Sequence, residues 1–472
     1  MPGQLRRHWE RYRECFKTQT RDTSEHAYEY LRGQMTMDND RHYAGIARQM
    51  EGEDGQALQH FMSNSPWSGA EVYQRIQEDI RATPQLADGS YLILDESADE
   101  KADIHSAGSL RQYNGRMGKV DTCQVSVVLG YAHWHKLPWP IWALVESALF
   151  VPAEWFTPDF AQERKKLGIP PERRFQTKPE LGLEMIRQAQ AQGLPFKALA
   201  CDDLYGRDSH FRAELERTGV IYFADVPANT RVYLNCPQIG VPQKTAVRRG
   251  RPNRRAKVLN DVPNLRVEQV GKRPDTVWQR LCIRHNERGV LEDDFAARRV
   301  WIWNQSENDL REEWLILRME RNGAHTYLLS NAPAQSALEH LAEGACARYF
   351  VERLIQDAKQ ENGWDEFQAQ KYRGWEHHTA LTACALWFIA QTKLSWAEEV
   401  ARDPQLAQQL EVEVLPALST ANVRAMLRAV LPLPQLSPEQ AREQVVKHLV
   451  NRSRSTASRL RHRHRKYVKV QT

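Results

Sequence analysis

Two short apolar runs, each closed by an aspartate, constrain this chain more than any other feature. Tyr91-Leu92-Ile93-Leu94 ends at Asp95, and Phe196 to Cys201 ends at Asp202. Short apolar runs bounded by turn signals are what strands buried on both faces require. Between them Arg111 to Tyr113 and Cys123 to Tyr131 read as two further strands. The segment from Asn114-Gly115 to Gly118-Lys119 is the turn that joins them. A helix is expected from Lys178 to Gln192, closed by Gly193 and Pro195, and a shorter one from Ser209 to Thr218. A strand from Val220 to Val226 completes the set. The order is three strands, helix, strand, helix, strand. It describes a sheet that opens as an antiparallel hairpin and continues as parallel strands through helical crossovers. Reactive groups in such sheets gather at the C-terminal ends of the strands, where Asp95 and Asp202 both stand.

The fold expected is α/β: an RNase H-like mixed-sheet core interrupted by a β-rich insertion, with a helical N-terminal domain and a basic C-terminal segment. Residues 1–88 carry helical spacing in Arg41 to Met50, Gly55 to Met62 and Gly69 to Ile80, with Asn64 and Pro66 punctuating. They read as a DNA-binding or dimerisation domain with a helix-turn-helix flavour. The core spans 89–227 and resumes at 338–400 with a helix that carries Glu352. The insertion, 228–337, has Trp-rich strand-like segments at Trp278 to Arg284, Arg299 to Trp303, Trp314 to Glu320 and His325 to Leu329. Residues 401–472 form a helical region, a proline-punctuated linker from Leu431 to Pro438 and a basic tail.

The 472 residues, 41% hydrophobic and 26% charged, suit a globular protein of several domains. No apolar run approaches the roughly 20 residues of a membrane span. Ala380 to Ala390 is about half that, and Leu137 to Ala153 holds Glu146 and several prolines. The N-terminus lacks the apolar stretch of a secretory signal, so cytoplasmic residence is expected. Seven scattered cysteines without C-x-x-C spacing point to neither a disulfide scaffold nor a zinc finger.

Net charge is only +5, but it is unevenly placed. Lys244, Arg248, Arg249, Arg251, Arg254, Arg255 and Lys257 form one acid-free cluster. Arg452 to Lys469, including Arg459, Arg461, Arg463 and Arg465, forms another. Without these fifteen cations the chain holds 50 Lys and Arg against 60 Asp and Glu. An acidic body with two concentrated basic segments is the usual pattern of polyanion binding; a solvated loop and a disordered tail are the plainer reading. Arg249-Gly250-Arg251-Pro252 also has the shape of a minor-groove hook.

Three carboxylates suffice to hold two divalent cations about 3.5–4 Å apart for phosphoryl transfer, and hard oxygen ligands suit Mg²⁺, with Mn²⁺ as a substitute. Asp95 and Asp202 supply two. A helix packed beside the sheet is the expected source of the third, Glu352. In Arg348 to Lys359, Val351, Leu354, Ile355 and Ala358 give a buried stripe, and Arg348, Glu352 and Lys359 fall on a neighbouring face. The two cations would clamp DNA phosphates beside the metal. The same pattern also describes a surface ion-pair row, and an aspartate at a strand end also describes a cap.

These residues resemble the DDE-type insertion-sequence transposases of the branch with a β-rich insertion before the glutamate. The first block runs from Leu92-Ile93-Leu94-Asp95-Glu96-Ser97 through Lys101 to Arg111-Gln112-Tyr113 and Gly118 to Gln124. The second is Asp202-Asp203-Leu204-Tyr205-Gly206-Arg207, similar to a D-x-x-Y-G motif, and Phe175 to Leu181 is also similar. The third follows the pattern Tyr, two residues, Arg, three, Glu, six, Lys at Arg348, Glu352 and Lys359, with Ala345 at the Tyr position. Gly363-Trp364-Asp365, Trp375-Glu376-His377-His378, Leu58 to Phe61 and Ser65-Pro66-Trp67 extend the likeness over roughly residues 35 to 395.

The resemblance implies metal-dependent cleavage at transposon ends and strand transfer into target DNA, cut-and-paste, with double-stranded DNA as partner and a homodimer in the synaptic complex. Neighbours on a strand face opposite ways, so only one of Asp202 and Asp203 can point at the metal, and the resemblance to the D-x-x-Y-G motif selects Asp202. Asp99 and Asp121, read as loop residues, are lesser rivals to Asp95. In some relatives an insertion aromatic stacks on a flipped base, for which Trp301, Trp303 and Trp314 are candidates, though core packing is their commoner use. Two other functions compete: a catalytically silent, domesticated DNA-binding regulator, and a paired-carboxylate hydrolase such as a glycosidase. The latter would not need two polybasic segments.

Overall fold

The computed structural model describes residues 2–49, 55–115, 117–135, 137, 139–242, 254–286, 289–403, 405, 418–431, 437 and 439. Helices α1 (Pro2–Tyr12), α2 (Ser24–Thr36), α3 (Tyr43–Gln49), α4 (Gly55–Ser63) and α5 (Gly69–Arg81) open the chain. α5 buries Val72, Tyr73, Ile76 and Ile80, spaced three and four apart. These faces build no core of their own. Leu5, Trp9, Leu58, Phe61 and Ile76 share one continuous cluster with Leu92 and Leu199 of the sheet and with Leu381 and Trp387 of a later helix. The N-terminal helices and the sheet thus share one apolar core.

The sheet starts with β1 (Tyr91–Glu100), β2 (Leu110–Asn114), β3 (Lys119–His133) and β4 (Ile141–Phe150). α6 (Ala161–Leu167), α7 (Lys178–Ala191), β5 (Ala198–Cys201), α8 (Asp203–Gly206), α9 (Ser209–Arg217) and β6 (Tyr222–Asp225) follow. β1 pairs antiparallel with β3 and parallel with β5, and β5 pairs parallel with β6. α7 begins where Thr177 and Glu180 cap each other's backbone N–H groups. It ends before Gly193, whose φ of 71° lets the chain turn back.

Three expectations need correction. β4 was not anticipated, because Pro138, Pro140 and Glu146 disguise it; it pairs with β3 along its length. β1 does not stop at Asp95 but runs five residues further to Glu100, paired with β3 throughout. Asp99 and Asp121 accordingly lie within β1 and β3 rather than in loops.

The insertion holds β7 (Arg231–Tyr233), β8 (Ile239–Gly240), β9 (Lys257–Val258), β10 (Asn264–Arg266), α10 (Val267–Gly271), β11 (Gln279–Asn286), β12 (Gly289–Asn304), β13 (Asp309–Met319) and β14 (His325–Ser330). It extends the central sheet: β14 pairs antiparallel with β6, and β13, β12 and β7 continue outward. Val232, Val267, Val300, Leu315 and Leu329 form its own apolar cluster. A buried ion pair, Arg212 Nε to Glu313 at 3.3 Å, ties β13 to α9.

The chain then returns to the core as α11 (Leu338–Cys346), α12 (Tyr349–Gln356), a π turn (Asp357–Glu361), α13 (Tyr372–Arg402) and α14 (Thr420–Val430). α12 lies directly on β1 and β3. A Cβ on Gly130 would stand 2.5 Å from Leu354 and 2.7 Å from Ile93, so only glycine lets the helix approach this closely. The sequence blocks near Trp67 and His377 meet as a stack with ring centroids 3.6 Å apart. His378 is buried between Tyr30 and the Trp364 carbonyl, and burial pushes its pKa down to about 4. No helix among the described residues is long and apolar enough to cross a membrane.

Candidate metal centre

Strand register assembles the site. Leu94 of β1 is level with Cys201 of β5, and Cys201 is level with Ala224 of β6. The residues that follow these three are Asp95, Asp202 and Asp225, so three aspartates stand in one row across the sheet. Asp95 shares the face of Ile93, toward α12, whereas Glu96 shares the face of Leu94, which packs on Gly182 of α7. Asp202 lies just past the end of β5 and caps α8, its Oδ1 accepting from the Leu204 N–H at 3.0 Å. From that position it is reached from both faces. One carboxylate oxygen each from Asp95, Glu96 and Asp202 lies within 4.8 Å of the other two.

This gathering of like charge is poorly compensated. Burial first, then the neighbouring Asp202, pushes the Asp95 pKa up to about 8. Burial, Glu96 and Asp203 push Asp202 up to about 6. Glu96 takes Lys178 Nζ at 2.8 Å on Oε1, while its Oε2 is buried without a hydrogen-bond partner. Three hard oxygen donors, two with raised pKa values and one orphaned oxygen, are what a divalent cation would neutralise. The residues present fit a Mg²⁺-type ion.

Glu352 stands outside this group among the described residues. Its side chain is 56% exposed, and it joins the site through Arg348. The Arg348 guanidinium places Nη2 2.9 Å from Glu352, Nη1 3.7 Å from Asp95 and Nε 2.9 Å from Asp225. Asp225 was missed from sequence because the apolar run was read through it to Val226. Its signal was the same as that of Asp95 and Asp202, an apolar run met by an aspartate. Glu96 was quoted within the first block but not given a role.

Lys359 differs from the expectation of a DNA-facing cation. It is buried, and its Nζ donates to Asp99 Oδ1 at 2.6 Å and to the Ala98 carbonyl at 2.9 Å. Helical spacing breaks down between Glu352 and Lys359 because the chain passes into the π turn, whose i→i+5 bonds shift the facing of each side chain. Among the basic-segment residues, Arg254, Arg255 and Lys257 are exposed. Lys244, Arg248, Arg249, Arg251, Arg459, Arg461, Arg463 and Arg465 lie outside the described residues. Trp301, Trp303 and Trp314 are half-buried on β12 and β13, and the Trp314 Nε1–H donates to the Pro333 carbonyl at 3.0 Å.

A family model described as DDE superfamily endonuclease matches residues 11–290, more than half of the chain. The chain belongs to the DDE superfamily of endonucleases. The match covers Asp95 and Asp202 of this DDE endonuclease and ends before Glu352. The chain is also similar to a probable transposase for insertion sequence element IS701 from Microchaete diplosiphon. The two are 27% identical over 189 residues, 39% of this chain and 44% of the relative. The DDE endonuclease thus aligns with less than half of that relative's length.

Proposed function

We propose that this DDE endonuclease is a transposase that cuts DNA at the ends of an insertion sequence and joins the freed 3′-hydroxyls to target DNA. The observation that carries the reading is the side-by-side placement of Asp95 and Asp202, with a buried and unpartnered oxygen of Glu96 beside them. The name of the IS701 relative agrees with it. When bound, a pair of Mg²⁺ ions, or Mn²⁺ in their place, supplies activation of the attacking oxygen and stabilisation of the leaving 3′-oxygen.

The chain's own residues hold that chemistry in place. Asp95 is paired with Val128 of β3, and its Oδ1 accepts the Glu96 N–H at 2.7 Å. Asp202 is held by its cap to Leu204, and Lys178 steadies Glu96. Glu352, one helical turn beyond Arg348, is the third ligand of the active arrangement. Arg348 is the cation poised to meet a DNA phosphate. Arg254, Arg255 and Lys257, together with the basic tail, hold the DNA backbone. A homodimer pairs the two ends in the synaptic complex, in association with the bacterial nucleoid.

The test is cleavage and joining of DNA carrying the element's ends, with and without Mg²⁺, by the wild type and by Asp95→Ala, Asp202→Ala and Glu352→Ala. Metal-dependent products that vanish in all three variants are expected. Equal cleavage by the variants refutes the site, and cleavage without joining reduces the reading to a nuclease.

A further inference from the structure

We propose that Asp225 is a positioning residue: it anchors Arg348 by its Nε edge and thereby limits how firmly the guanidinium occupies the gap between Asp95 and Glu352. The proposal rests on the metal-carboxylate part of the reading above, and not on transposition. Asp225 is the third member of the carboxylate row: it follows Ala224, which is level with Cys201, the residue before Asp202. α8 presses against its backbone so tightly that a Cβ on Gly206 would overlap the Asp225 carbonyl oxygen. The side chain is largely buried, and burial raises its pKa to about 6 against the opposing pull of Arg348.

A guanidinium is a planar fork with separate donor edges. Here the Nε edge goes to Asp225 at 2.9 Å, which leaves Nη1 toward Asp95 at 3.7 Å and Nη2 toward Glu352 at 2.9 Å. Arg348 thus lies against both Asp95 and Glu352, two of the carboxylates that would hold a divalent cation. Its charge is divided between those two acids and an anchor outside them. For a cation to bind both Asp95 and Glu352, the two Nη groups must swing away while Nε stays held. Without the Asp225 charge, the whole guanidinium is drawn onto Asp95 and Glu352 and competes directly with the metal. A lysine has no Nε–H edge and cannot be held in this way.

The experiment is Mn²⁺ titration of the full-length, DNA-free protein, followed by the loss of the free-Mn²⁺ electron paramagnetic signal. Folding of each variant is checked by its melting curve. Asp225→Asn, nearly isosteric, is expected to weaken Mn²⁺ binding by about 10-fold, the order of one charge–charge contact at a partly buried site. Arg348→Lys is expected to weaken it similarly, and adding Asp225→Asn to Arg348→Lys should cost little more. Arg348→Gln in the Asp225→Asn background should restore affinity to near the wild-type value, because the competing cation is gone. Wild-type affinity in Asp225→Asn overturns the proposal. So does a double variant no tighter than Asp225→Asn alone, which would make Asp225 a direct ligand. A folded wild type that binds no Mn²⁺ refutes instead the metal reading on which this one stands.

Discussion

Two aspartates four residues apart on β1 have opposite surroundings. Asp99 meets the ammonium of Lys359 at 2.6 Å, and both side chains are buried. Asp95 meets two other carboxylates, and its closest cation, Arg348 at 3.7 Å, is shared with Asp225 and Glu352. Both positions are desolvated, so the difference is one of compensation. At Asp99 the charge is matched within the chain and the pair braces the π turn against the sheet. At Asp95 no cation of the chain matches the charge, so a proton is held in its place, and an external cation would displace that proton. Two aspartates on one strand therefore differ by their partners, not their type.

The largest effect that would break this contrast is on activity. Asp95→Asn or Asp202→Asn should lower metal-dependent cleavage on the order of 10³-fold or more, the loss of several kcal/mol of charge stabilisation. Retained cleavage in a single-turnover assay would remove Asp95 from the site. Next comes stability: Lys359→Ala strands the Asp99 charge and should cost about 3–5 kcal/mol in urea unfolding. The paired change Lys359→Met with Asp99→Leu should recover most of that loss. An unchanged midpoint in Lys359→Ala would show that the brace is idle.

The pH response sharpens the contrast further. The Asp95 pKa is raised in the folded chain, so the folded state binds the extra proton. Metal-free stability is therefore greatest near and below pH 4 with respect to this group, and falls as pH rises toward about 8. Asp95→Asn should flatten that slope and raise the metal-free melting temperature at pH 8 by on the order of a few degrees. Mg²⁺ should reverse the sign, stabilising the wild type most at alkaline pH and leaving Asp95→Asn unmoved. The smallest effect lies farthest from the row. Replacing Arg254, Arg255 and Lys257 with alanine should reduce the salt slope of non-specific DNA binding by about 0.9 for each DNA phosphate that these side chains neutralise.

Much of the fold could be read from local pattern. The helices Lys178–Ala191 and Ser209–Arg217 stand within a residue or so of expectation because caps and apolar stripes are local properties. β4 was not legible, since prolines flank it and Glu146 breaks its apolar run, whereas its pairing with β3 is a long-range property. Lys359 was misread because periodicity was extended through a π turn that no composition signal announced. Asp202 was legible both as a cap and as a site candidate, and the structure shows it capping α8 while standing beside Asp95 and Glu96.

The amino-acid sequence alone determined that two short apolar runs are buried strands, that an aspartate closes each run, and the family they resemble. Each of these depends on residues near one another along the chain. Only the tertiary structure decided that Asp95, Asp202 and Asp225 form a row, that Glu96 joins from the opposite face, and that Arg348 binds three acids while Lys359 is withdrawn. Those facts follow from backbone hydrogen-bond register between strands over 100 residues apart and from a helix pressed onto Gly130. Such pairings reflect the packing of the whole sheet, which no window of sequence contains.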